Sequence, residues 1–183
     1  MMRVSLLLLL LLLAGCLTVA SKSYEAASDE RSTETQAADT KLATTIKKRI
    51  FDADAKGLFA LDVYCYQGVV VLAGVVPLGS KLGAQAVEIA RGVEGVRRVE
   101  TYYVANQPSK VSDLALSVKV KAKLVGDGKV KSTQVDWTVL GGNVVLVGVV
   151  GSTERRDRII TDVRGIDGVA GVKSFLQLKL AER

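Results

Sequence analysis

Two cysteines, Cys16 and Cys65, are the side chains best placed for covalent chemistry, and their neighbourhoods point in different directions. Cys16 closes Leu13-Ala14-Gly15-Cys16, after a positive start at Arg3 and an unbroken leucine run from Leu6 to Leu13. A basic start, an apolar run too short to span a bilayer and small residues before a cleavage point make an export signal. The four residues ending at Cys16 also match the motif in which the cysteine sulfur takes a diacylglycerol thioether and its freed amino group is acylated. Residues 1–15 are therefore expected to be a lipoprotein signal peptide, with Cys16 the lipid attachment residue; the alternative is an ordinary cleaved signal. Cys65 lies between Tyr64 and Tyr66, with no basic residue nearer in sequence than Lys56. Nothing visible lowers its pKa, so an inert strand residue is expected in place of a redox or nucleophilic thiol.

Other chemistry is excluded by what the chain lacks. It has no histidine, which removes the commonest general base and metal ligand together. Two cysteines build neither a disulfide framework nor a cysteine-based zinc site, and no paired carboxylates or metal-ligand clusters stand out. The Gly141-Gly142 pair lies between two strands, not between a strand and a helix, so it lacks the helix start that cradles phosphate. No catalytic residue, metal, cofactor or small-molecule substrate is expected beyond the covalent lipid on Cys16. The net charge of +6 would suit nucleic acid, but export places the chain where none is expected.

The elements that must position any functional residue are revealed by a repeat. Gly68-Val69-Val70-Val71-Leu72-Ala73-Gly74 returns as Gly142-Asn143-Val144-Val145-Leu146-Val147-Gly148, a shift of 74 residues. At that same shift Ile46-Lys47-Lys48-Arg49-Ile50-Phe51 overlies Val120-Lys121-Ala122-Lys123-Leu124-Val125. Arg91-Gly92-Val93-Glu94-Gly95-Val96 overlies Arg164-Gly165-Ile166-Asp167-Gly168-Val169 at a shift of 73, one deletion later. Each unit thus reads helix, strand, strand, helix, strand, an α+β pattern repeated in tandem.

The expected divisions are a lipidated flexible tether over 16–38, a first unit over 39–106 and a second over 107–183. The tether is rich in Ser, Thr, Ala and acidic residues and shows no periodicity. In unit one, Asp39 or Thr40 is expected to cap a helix whose core face is Leu42, Ile46 and Ile50. Strands follow at Leu61–Tyr66, from Gly68 onward and at Val99–Val104; Ser80 starts a second helix facing inward with Leu82, Ala86, Val87 and Ala90. In unit two the matching core face is Leu116, Val120 and Leu124, and Ser152 or Thr153 caps a helix with Ile159, Ile160 and Val163 inward. The last strand is expected over Phe175–Leu180, and Trp137 reads as core or unit interface sooner than as a ligand platform.

The difference between the copies carries the functional signal. At about 100° per residue, Leu114, Val118 and Val125 form a second apolar stripe roughly 120° from the core face. Their counterparts are Thr40, Thr44 and Phe51, two of them polar, so the fold itself does not require the stripe. Lys119, Lys121 and Lys123 lie around it. Residues 39–106 hold nine basic and seven acidic side chains, net +2, whereas 107–183 hold thirteen and eight, net +5. Apolar side chains flanked by lysines are what contact with anionic headgroups requires, each lysine near such a surface contributing about 1 kcal/mol. Two readings stand: a phospholipid-binding face made by Leu114, Val118, Lys119, Lys121 and Lys123, or a stripe that packs on unit one or a second molecule.

The Tyr66–Gly74 run, the Ile89–Val96 run with Val99 after it, and their second copies resemble the BON domain. The resemblance covers nearly all of residues 39–180, and lipobox, tether and two such units together look like the dual-BON outer-membrane lipoproteins. It implies two tandem domains, each a small three-stranded mixed sheet with two helices on one face, and no catalytic activity. It further implies binding of anionic phospholipid through the second unit, support of outer-membrane integrity, and a lipid-anchored location facing the periplasm. Outer-membrane or other envelope proteins are the further partners, and an envelope scaffold binding them is the alternative function. Relatives carry a tryptophan near the start of the second-unit helix, where this chain has Ala115.

Overall fold

The computed structural model describes residues 29–53, 61–105, 110–126 and 134–180. Ten elements follow one another: α1 (Thr33–Ala53), β1 (Leu61–Tyr66), β2 (Val69–Val75), α2 (Leu82–Arg91), β3 (Arg98–Val104), α3 (Lys110–Gly126), β4 (Val135–Leu140), β5 (Asn143–Val150), α4 (Thr153–Arg164) and β6 (Gly171–Leu178). The expected order of helix, strand, strand, helix, strand is thus met twice. In each unit the repeated strand is central, antiparallel to the strand before it and parallel to the one after, giving sheets β1-β2-β3 and β4-β5-β6.

The central strands read as almost continuous apolar runs because both their faces are buried. On β2, Val70 and Leu72 pack with Ile46, Ile50, Leu82, Ala86 and Ala90 of the helices. On β5, Val144 and Leu146 do the same with Leu116, Val120, Leu124, Ile159 and Val163. The alternate residues, Val71 and Ala73 of β2 and Val145, Val147 and Val149 of β5, join Tyr66 and Leu140 in a third buried cluster shared by the units. The chain therefore stacks helices, sheet, sheet, helices, and the sheet faces left bare by each small unit cover one another. The expected core faces are those observed. Trp137 packs on the helix side of its sheet, its indole N–H donating to Ser117 Oγ at 3.0 Å.

Each β-hairpin turns on two residues of positive φ, Gln67 (51°) with Gly68 (72°) and Gly141 (59°) with Gly142 (79°), the tight geometry that matches strand twist. A buried carboxylate holds each turn. Asp39 of α1 accepts from Gln67 N at 2.8 Å and Gly68 N at 2.9 Å; Asp113 of α3 accepts from Gly141 N and Gly142 N, both at 2.8 Å. Asp39 is consequently not a helix cap, since α1 begins six residues earlier, with Ser32 Oγ accepting from Thr35 N at 3.2 Å. The correction has a physical reason: the Asp39 side chain is spent on a distant turn, and Ser32 was available upstream. Residues 29–38, assigned to the tether, are part of the folded body. The last strand also starts earlier than expected, at Gly171, where it pairs with Asn143.

The units are joined by polar contacts around the first hairpin turn. Tyr66 Oη donates to Asp136 at 2.6 Å, Gln67 Nε2 donates to Leu178 O at 3.1 Å, Leu180 N donates to Gln67 Oε1 at 2.8 Å, and Gln177 Nε2 donates to Tyr66 O at 3.1 Å. Arg31 binds Asp29 at 2.6 Å and Asp39 at 2.7 Å and stacks over the Tyr66 ring at 4.1 Å. Glu30 reaches Arg155 of α4 at 3.5 Å, so the segment entering α1 touches both units.

Asp39→Ala strips a buried ion pair with Arg31 and leaves two turn amides unmet, and is expected to cost about 3–5 kcal/mol. Urea unfolding measures the loss, and a change below about 1 kcal/mol would refute the role of this carboxylate. Gly148→Ala, whose Cβ would run into the Gln134 carbonyl, is expected to lower stability by about 1–3 kcal/mol or more in the same assay.

Candidate functional site

Three anchors fix α3: the Asp113 clamp on the turn, the Trp137–Ser117 hydrogen bond, and the inward row Leu116 (6% exposed), Val120 (0%) and Leu124 (1%). With that face committed to the core, helical spacing turns Leu114 and Val118 to solvent, and they are 69% and 62% exposed. Leu114 and Val118 are therefore not packed on unit one. Val125 falls outside the described side chains. In unit one the corresponding Thr40 and Thr44 are exposed, Thr40 hydroxyl donating to Gln36 O at 2.8 Å, and Phe51 is 47% exposed.

The three lysines frame this ridge from both sides. Lys121 falls beside Leu114 on the helical wheel and makes no ion pair among the described residues, whereas Lys119 and Lys123 lie toward α4. Lys119 Nζ donates to Asp167 O at 3.0 Å and stands 3.5 Å from that carboxylate. Lys123 lies 3.9 Å from Asp162, which Arg158 approaches to 3.7 Å. The Lys119–Asp167 pair is long and open to water, so it is worth little, and an external anion can compete for that lysine. The arrangement offers an apolar ridge between cationic margins, with no group placed for bond making. Cys16 lies outside the described residues.

Among the described residues no three His, Cys, Asp or Glu could hold a metal, and no helix is long and apolar enough to cross a membrane. Cys65 is buried, and its thiol is pushed up to about 12 by that burial and then by Asp39, whose carboxylate it meets at 3.4 Å. Burial and then Asp136 likewise hold the Tyr66 hydroxyl far above its ordinary range. Burial opposes charge on Arg31, but its hydrogen bonds to Asp29 and Asp39 outweigh that, so its pKa is raised.

Sequence reasoning missed Asp39 and Asp113 as a matched pair and Arg31 altogether. The first had a signal: the two aspartates fall at the repeat shift of 74, each three residues before the core face begins. Arg31 had none, because it lies outside the repeat in a stretch of tether-like composition.

Comparison with known proteins bears on the whole chain. The BON domain model matches residues 38–103 and again 112–179. Osmotically-inducible protein Y of Escherichia coli K12 is 31% identical over 147 residues, covering 77% of this chain and 73% of that protein. Outer membrane lipoprotein DolP of Haemophilus influenzae is 30% identical over 177 residues, covering 91% and 88%. A 21 kDa hemolysin of Actinobacillus pleuropneumoniae is 27% identical over 156 residues, covering 81% and 80%.

The Cys65 environment yields a measurable expectation. Its pKa is raised on folding, so the protonated thiol contributes its full stability below the unfolded pKa, about 8.5, and that contribution is lost as pH rises toward about 12. The folded chain is expected to resist iodoacetamide at pH ~8 and to react once denatured. Its unfolding free energy in urea is expected to fall steadily from pH ~9 upward. Rapid alkylation of the native protein would overturn the assignment.

Proposed function

The chain belongs to the BON-domain family, and on that footing we propose that it is a non-enzymatic, lipid-anchored envelope protein whose second unit docks on anionic phospholipid. In this reading residues 1–15 are removed, Cys16 carries the acyl chains, and residues 17–28 link them to the folded body. Likeness to a protein named as an outer membrane lipoprotein supports an outer-membrane location facing the periplasm, with support of that membrane's integrity as the role.

The observation that carries the proposal is the exposed pair Leu114 and Val118 with Lys119 beside them, where the other copy has Thr40, Thr44 and Thr45; Lys121 and Lys123, matched there by Lys47 and Arg49, complete the cationic margins. Inserting a leucine and a valine yields about 1.5–3 kcal/mol each when fully buried, and each lysine adds about 1 kcal/mol near an anionic surface. Such docking is weak for a free protein and effective for an anchored one, because the tether holds the face at high local concentration. The rival is an envelope scaffold, in which the same ridge takes a protein partner.

The test is co-sedimentation of a form beginning at Asp29, which lacks Cys16 but keeps Arg31 and all of α1, with zwitterionic and mixed anionic vesicles. Binding is expected for anionic vesicles alone, weakening with salt and falling about tenfold or more in Leu114→Asp. Changing Lys119, Lys121 and Lys123 together to glutamate is expected to abolish it. Absence of binding to either vesicle, with circular dichroism unchanged, would reject phospholipid docking and favour the scaffold.

A further inference from the structure

The outer border of β3 is bare where that of β6 is closed. Val75 pairs with Val104, and Val76 N donates to Val104 O at 2.8 Å, which commits the main chain of Glu100, Tyr102 and Val104 to β2. Hydrogen bonding alternates along a strand, so the N–H and C=O groups of Val99, Thr101 and Tyr103 point away from the sheet. Among the described residues no hydrogen bond reaches those groups, and β3 is the last strand of its sheet. The border of β6 is instead closed at its end by Gln67, which donates to Leu178 O and accepts from Leu180 N. The counterpart of Gln67 is Gly141, which has no side chain to return the contact.

The devices that normally blunt a sheet border are also missing from β3. Its seven residues include no proline and no lysine, and its register with β2 runs without a bulge. Val99, Thr101, Tyr102, Tyr103 and Val104 are β-branched or aromatic, the types that fit a pleated sheet best. The two charges, Arg98 and Glu100, neutralise one another at 3.0 Å. Such a strand is a template for a further strand.

We propose that β3 is a self-association site, at which a second copy of this chain adds its own β3 antiparallel and joins the two sheets across a twofold axis. The sequence of the strand argues for this occupant. With the axis at Thr101, all of Arg98–Val104 overlaps and the outward groups meet in register: Thr101 faces the partner's Thr101, and Val99 faces the partner's Tyr103. Thr–Thr and aromatic–β-branched pairs are favourable across strands. Glu100 then opposes Tyr102 and Arg98 opposes Val104, so no like charges stand directly opposite. An axis at Glu100 would set two carboxylates face to face. A foreign strand gains the same main-chain bonds without this side-chain match. Pairing uses the border of both copies, so assembly stops at the dimer. One strand pair is a small interface, and a dissociation constant on the order of 100 μM is expected. The α3 ridge takes no part, so the dimer is independent of phospholipid docking.

The test uses the mature-length chain carrying Cys16→Ser. Sedimentation velocity between about 10 μM and about 1 mM is expected to show a monomer–dimer equilibrium. Thr101→Pro removes only an outward N–H and is expected to abolish the dimer with circular dichroism unchanged. Thr101→Lys sets two cations opposite each other and is expected to weaken the dimer about tenfold, while mixing it with Thr101→Glu restores association. A cysteine on the axis would lie about 5.5 Å from its mate, Cα to Cα, within disulfide reach. Thr101→Cys is therefore expected to oxidise to a linked dimer about tenfold faster than Leu78→Cys on the exposed β2–α2 turn. A monomer at every concentration, with Thr101→Cys oxidising no faster than Leu78→Cys, would overturn the proposal. A dimer indifferent to Thr101→Lys would place the contact elsewhere and overturn it equally. Thr101→Cys linked in expressing cells only to other polypeptides would assign the border to a foreign strand.

Discussion

A buried carboxylate reaching from the first helix of each unit to a two-residue hairpin turn is the constraint on which the rest of the chain depends. Asp39 and Asp113 each receive two turn amides that have no partner in the ladder, and each thereby fixes a helix against the start of the central strand. An unpaired buried amide costs free energy comparable to a lost hydrogen bond, so the tight turn and the helix carboxylate are stable only together. Everything downstream inherits that registration: which helix residues meet Val70, Leu72, Val144 and Leu146, and therefore which are left outside.

The two units use this common frame for different ends. In unit one the clamp is elaborated by Arg31, Asp29 and Tyr66, and the turn carries Gln67, whose amide and backbone neighbours grip β6. Unit one is thus a joint. In unit two the equivalent turn is two glycines, and the outer ridge of the helix is apolar. One copy thus spends its turn on contacts within the chain, while the other presents an apolar ridge to solvent.

Much of this was legible in the sequence, for definite physical reasons. Periodicity reports which side of an element avoids water, so Ile46, Ile50, Val120, Leu124, Ile159 and Val163 were assigned to the core correctly. The repeat overruled the strand-like alternation at the start of α3, and the contrast between Leu114 and Thr40 exposed the ridge. Asp39 was misread as a cap because an aspartate ahead of an apolar helical pattern has the same local signature whether it bonds its own helix or a turn 28 residues away. The sheet-to-sheet cluster could not be assigned to a face, since β2 and β5 are apolar on both sides. The clip around Arg31 is made by single side chains across long separations, which leave no period.

The Gln67 amide has one more consequence. It donates to Leu178 O and accepts from Leu180 N, the alternation a neighbouring strand would supply, so a side chain stands in for backbone at the outer border of β6. Leu176 N, two residues back, is met by Ser174 Oγ at 3.3 Å. A bare sheet border is a template for pairing with foreign chains, and the compartment proposed for this protein would expose it to unfolded segments of other exported polypeptides. By blocking that border at successive positions, the chain guards against aggregation through strand addition without lengthening its sheet.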